Sequence, residues 1–131
     1  HMRGIGEIIE PIDIDLPSGI VLVNPRIPAP TLKVFGFLNL QCGQSFGTPI
    51  SDLSDVHDWR NDLTEPAISI VPEIADVLES LGSQEDITCS RMSGSGATCF
   101  GLAKNLGQAE RAATNIKTRR PDWWVVATSL L

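Results

Sequence analysis

A chain of 131 residues, 42% hydrophobic and 20% charged, has the size and composition of one globular domain able to bury its own core. No apolar run reaches the ~20 residues that cross a bilayer, so a membrane-spanning role is excluded and no membrane partner is expected. Sixteen acidic against ten basic side chains give a formal charge of -6, the wrong sign for neutralising phosphates along a nucleic acid, so no nucleic-acid partner is expected either.

His1-Met2 reads as the scar of a cleaved tag (residues 1–2), leaving 3–131 as the domain and Arg3 to Glu7 as the interior of a longer protein. From about Gly6 to Ile14 the loose alternation of Ile8, Ile12 and Ile14 predicts an exposed or edge strand, closed by the turn cluster Pro17-Ser18-Gly19. Gly19 to Asn24 carries the run Ile20-Val21-Leu22-Val23, short and β-branched, which predicts a central strand. Pro25, Pro28 and Pro30 then turn the chain, and Thr31 offers an N-cap for a helix from Leu32 to Leu40 presenting Leu32, Phe35 and Leu38. Residues from Gln41 to Asp58 show no sustained period and form the longest predicted loop, which includes His57.

From Asn61 a helical period runs through Ile68, Val71, Ile74, Val77 and Leu81 to a stop at Gly82, with Pro72 expected to kink or divide it. Ile87 to Met92 and Ala97 to Leu102 are two β-prone runs joined by a glycine-rich corner. Gly107 to Arg120 predicts an amphipathic helix with cations at the negative end of its dipole, and Trp123 to Thr128 a last strand. This order predicts an α+β domain, a mostly antiparallel sheet carrying helices on one face. Cys42, Cys89 and Cys99 are an odd set without C-x-x-C spacing, which argues for reduced thiols, a cytoplasmic location and no metal site.

Three motifs carry possible chemistry. In Arg91-Met92-Ser93-Gly94-Ser95-Gly96-Ala97 two glycines flank a serine, which suits either a plain turn or a nest of backbone N–H groups that receives a phosphate. Asp62 in Asn61-Asp62-Leu63 is either a reacting carboxylate or part of a helix cap, and the cap is the better reading. Phe35 is either core or a platform for a flat ligand; from the residues alone, core is favoured. His57, Trp123 and Trp124 are assigned no chemistry.

Taken in order, Leu22-Val23-Asn24-Pro25 through Pro30-Thr31-Leu32-Lys33-Val34-Phe35, then Asn61-Asp62-Leu63, Ser90 to Phe100 and Val126-Ala127-Thr128 resemble the C-terminal half of a GHMP-family kinase. The resemblance implies a ferredoxin-like domain that lines a cleft shared with an N-terminal domain, absent here, which would be its partner. It implies a parent enzyme using ATP and magnesium to phosphorylate a small molecule. In the branch of the family most similar to this chain, that substrate is a cytidine diphosphate derivative. On that resemblance Thr31 and Phe35 bind the cytidine end, the ring of Phe35 stacking on the base. Gly94, Ser95 and Gly96 lie near the phosphates. The catalytic groups of the family lie in the N-terminal half, so no catalytic or metal-binding residue is expected in this chain, and the isolated fragment is expected to bind no cofactor and to be inactive. Arg26 departs from the family, which commonly places glycine after Asn-Pro, and Thr64 intervenes before Glu65 where Asn-Asp-x-Glu is usual. The competing readings are a non-catalytic ferredoxin-like module for a small ligand or regulator, and a GHMP kinase acting on a different alcohol.

Overall fold

The computed structural model describes residues 2–3, 8–9, 17–38 and 60–130. Two short strands, β1 (Met2–Arg3) and β2 (Ile8–Ile9), pair antiparallel as a separate ribbon. The edge strand expected over Gly6 to Ile14 is thus described only at Ile8–Ile9, where it pairs with its own N-terminal neighbour rather than with the main sheet.

The main sheet has four strands in the order β4-β5-β3-β6: β3 (Gly19–Asn24), β4 (Cys89–Met92), β5 (Cys99–Ala103) and β6 (Trp124–Ser129). All three pairings are antiparallel, with Leu22 opposite Phe100 on one side and Val126 on the other. The β-branched run predicted for the centre therefore is the centre, hydrogen-bonded along both edges. Between β3 and β4 lie α1 (Thr31–Gly36), α2 (Thr64–Ile70) and α3 (Glu73–Gly82), and between β5 and β6 lies α4 (Leu106–Arg119). Strand, helices, two strands, helix, strand with this spatial order is the split βαβ, ferredoxin-like arrangement.

The period-2 rule sorts β3 cleanly: Gly19, Val21 and Val23 are buried while Ile20, Leu22 and Asn24 are half-buried. Against the buried face lie α3, through Ile74, Val77 and Leu81, and α4, through Ala109, Ala112, Ala113 and Ile116. Each fully buried aliphatic side chain contributes about 1.5 to 3 kcal/mol. The small alanines of α4 bring its backbone close to the sheet, and Gly19 is the extreme case: a Cβ there would strike the carbonyl of Asn105. Asn105 caps α4 by accepting the Gln108 N–H at 3.0 Å, and Gln108 returns its side-chain oxygen to the Lys104 N–H at 3.1 Å. Trp123, at the entry to β6, is buried under the Arg120 guanidinium, which sits 3.9 Å over its ring.

Pro72 divides the predicted helix as expected. Val71 leaves helical geometry at φ -130° and ψ 84°, the restriction a following proline imposes, and Pro72 then starts α3. The helix α1 departs from expectation. It ends at Gly36 rather than Leu40, Pro30 rather than Thr31 occupies its cap position, and it buries Val34. Leu32, Phe35 and Phe37 are exposed, at 90%, 49% and 63%. Residues 39–59, including the predicted loop and His57, lie outside the described residues.

Candidate functional site

The turn between β4 and β5 is built around two backbone demands. Met92 pairs with Cys99, so residues 93–98 form the connection. It is closed by the Ser93 N–H on the Thr98 carbonyl at 2.9 Å and the Gly96 N–H on the Ser93 carbonyl at 3.0 Å. Gly94 at φ +56° and Gly96 at φ +86° take left-handed geometry that glycine adopts without strain. Their surroundings differ. A Cβ on Gly94 would meet open space, whereas one on Gly96 would press on the Met92 sulfur at 3.0 Å and Ile74 Cδ1 at 3.1 Å. Gly96 therefore seats the turn on the core, and Gly94 leaves room for something to approach. Among the described residues, the N–H groups of Gly94 and Ser95 have no hydrogen-bond partner.

The structure brings the two segments singled out in the sequence together. Thr31 and Ser95, 64 positions apart, place their hydroxyl oxygens 3.0 Å from each other. Thr31 is free to do this because it is the first residue inside α1 and its side chain makes no cap. Phe35, one turn further along the helix, is half exposed, so the core reading of that residue is corrected: Val34 takes the buried position instead. The proline-rich approach to α1 is set by Asn24, whose Oδ1 accepts the Arg26 N–H at 2.7 Å, and by Arg26 itself at φ +61°. Asn24 Nδ2 also donates to the Thr98 hydroxyl at 2.8 Å, joining the end of β3 to the glycine turn.

The Asn61-Asp62-Leu63 motif joins the same group from a third direction. Neither Asn61 nor Asp62 is the N-cap of α2: Leu63 holds that position with no side-chain cap, because Asn61 is committed elsewhere. Its Nδ2 donates to the carbonyls of Met92 and Gly94, at 2.9 and 2.8 Å, while its Oδ1 accepts the Leu63 N–H at 3.0 Å. Asp62 faces Arg60 at 3.2 Å, an exposed pair rather than a poised carboxylate. Glu65 is exposed in the first turn of α2. Beside the turn a shallow hollow of about 400 Å³ opens between Arg60, Arg91, Phe100 and Gly94. The sequence displayed both asparagines, but their partners lie 74 positions away for Asn24 and 31 and 33 away for Asn61, beyond any local pattern.

No group of three or more His, Cys, Asp or Glu side chains is arranged to hold a metal ion among the described residues. Cys89 and Cys99 are buried. Burial pushes the Cys99 thiol up to about 12, and Cys89 is also raised by burial, with Arg91 opposing. Both are neutral packing residues rather than nucleophiles. No described helix is long and apolar enough to cross a membrane.

Comparison with known proteins agrees with this geometry. The family of GHMP kinases C terminal domains matches residues 42–122. The chain is 41% identical to the 4-diphosphocytidyl-2-C-methyl-D-erythritol kinase of Dinoroseobacter shibae, over 99% of this chain and 48% of that protein. It is 38% identical to the enzyme of the same name from Paramagnetospirillum magneticum, over 100% of this chain and 48% of the relative. A crystal structure of 4-(cytidine 5'-diphospho)-2C-methyl-D-erythritol kinase superposes with a TM-score of 0.75 and 27% identity, over 97% of this chain and 47% of that one. The chain thus spans about half the length of the relatives it matches. On the strength of the matched family and the shared sheet order, this chain belongs to the GHMP kinases, through their C-terminal domain.

Proposed function

We propose that the protein of which this chain forms about half transfers the γ-phosphoryl group of ATP, with magnesium, to the 2-hydroxyl of 4-diphosphocytidyl-2-C-methyl-D-erythritol in non-mevalonate isoprenoid biosynthesis. In this reading the hydroxyl oxygen forms its bond to the γ-phosphorus as the bond to the β,γ-bridging oxygen breaks and ADP leaves. The hydroxyl proton passes to a base outside the described residues. Phosphoryl transfer asks little covalent work of a protein and much positioning, and positioning is what this domain supplies. Thr31 and Phe35 hold the cytidine end, the half-exposed ring stacking on the base. Gly94 and Ser95 present backbone N–H groups to the phosphates, with Gly96 anchoring the turn beneath them. The observation that carries this reading is the 3.0 Å contact between Thr31 and Ser95, which supports one site spanning both ends of a nucleotide substrate. No group of three or more candidate metal ligands gathers among the described residues, and magnesium is assigned to none of them. Three cysteines, an odd number without C-x-x-C spacing, favour the cytoplasm.

Replacing Phe35 with alanine in the full-length protein tests the cytidine assignment. Stacking on a base is worth about 1 to 3 kcal/mol, so KM for the cytidylyl substrate is expected to rise about 5-fold to 150-fold with kcat little changed. An unchanged KM would remove Phe35 from the substrate pocket.

A further inference from the structure

Both asparagines of the sequence motifs reach across the fold to the glycine turn. Asn61 is the more committed of the two. A primary amide has two N–H donors and one carbonyl acceptor, and Asn61 uses its Nδ2 on the carbonyls of Met92 and Gly94 and its Oδ1 on the Leu63 N–H. It thereby ties the entry to α2 to both ends of the Ser93 step, at 2.8 to 3.0 Å throughout.

The consequence follows from peptide planarity. The Gly94 carbonyl and the Ser95 N–H belong to one trans peptide unit, so they point in opposite directions and turn together. Gly94 lacks a side chain, has open space around its Cα and sits at φ +56°, so nothing of its own fixes that plane. Asn61 draws the Gly94 oxygen toward α2 and thereby aims the Ser95 N–H away from it. The 92–93 plane, two peptide units back, is held by the same amide: the Met92 carbonyl faces Asn61 while the Ser93 N–H, its planar partner, donates to the Thr98 carbonyl at 2.9 Å. Asn24 steadies the far end of the turn through the Thr98 hydroxyl at 2.8 Å.

We infer that Asn61 is a positioning residue for phosphoryl transfer, acting by fixing the direction in which the Ser95 N–H is presented. This rests on the kinase reading above. Asn61 touches no reacting atom; its effect on rate runs entirely through the orientation of the 94–95 peptide.

The test is Asn61→Asp in the full-length protein, with steady-state kinetics on 4-diphosphocytidyl-2-C-methyl-D-erythritol and magnesium ATP. Aspartate keeps the acceptor for the Leu63 N–H but sets a carboxylate oxygen against two carbonyls, so the 94–95 plane turns. The expected result is a fall in kcat of about 10-fold or more, with KM for the cytidylyl substrate within about 2-fold of the parent value. Asp62→Asn, which breaks only the exposed pair with Arg60, is expected to leave both constants unchanged. A purely structural role would lower the thermal midpoint while leaving kcat per folded molecule intact, and that pattern overturns the inference. If Asn61→Asp does not fold, Asn61→Ser carries the same expectation, and failure of both to fold overturns it as well. An inactive parent protein would sink the kinase reading itself, whereas an active parent with an unaffected Asn61→Asp variant sinks only the role of Asn61.

Discussion

Arg26 holds φ +61°, a left-handed backbone that costs a non-glycine residue about 1 to 2 kcal/mol. The hydrogen bond that keeps it there, from its main-chain N–H to Asn24 Oδ1 at 2.7 Å, survives a change of the Arg26 side chain. Glycine at this position relieves the steric cost but adds freedom to the unfolded chain. The net expectation for Arg26→Gly is therefore a gain of about 0.5 to 1 kcal/mol, read as a thermal midpoint a few degrees higher. A lower midpoint would show that the guanidinium makes a stabilising contact outweighing the strain. Thr31 shows the same economy of function at one residue: a hydroxyl placed where a cap was expected is spent on Ser95 across the fold.

At the level of elements, the start of β3 lies close against the loop that caps α4. Gly19→Ala would drive a Cβ into the Asn105 carbonyl, a main-chain atom that moves only if the capped end of α4 moves with it. The expected cost is about 2 to 4 kcal/mol, in the range of overpacked core positions, measured by denaturant unfolding. Much of this architecture was legible before any coordinates. Pro72 divides α2 from α3 because a proline and the residue before it are constrained covalently, whatever the surroundings. The apolar run of β3 marked the sheet centre, because a strand paired on both edges has little polar surface to keep wet. The face of α1 was not legible. Reading Leu32, Phe35 and Leu38 as an inward stripe assumes that apolar side chains are buried, and on α1 this assumption fails at Leu32 and Phe35. The role of Asn61 is not legible, since nothing near it in sequence discloses carbonyls 31 and 33 residues away.

On the scale of the molecule, the chain covers about half of its relatives, and in the proposed reading its site residues orient rather than react. The isolated 131-residue chain is accordingly expected to form no phosphorylated product from ATP, magnesium and the cytidylyl substrate. Steady magnesium-dependent turnover by the purified chain, followed by ADP release, would contradict this. The exposure of Leu32, Phe35 and Phe37 beside the glycine turn gives the same expectation a surface: apolar side chains are left uncovered where the other half of a cleft would lie. The strand order has a consequence for how the protein is made. Central strand β3, residues 19–24, has both its neighbours later in the chain, at 99–103 and 124–129. During synthesis β3 emerges from the ribosome long before either partner, and its hydrogen-bonding edges stay unpaired until almost the whole domain has been translated. The contact between Thr31 and Ser95 likewise waits for the turn at residues 93–98, so α1 is synthesised long before the group that it meets.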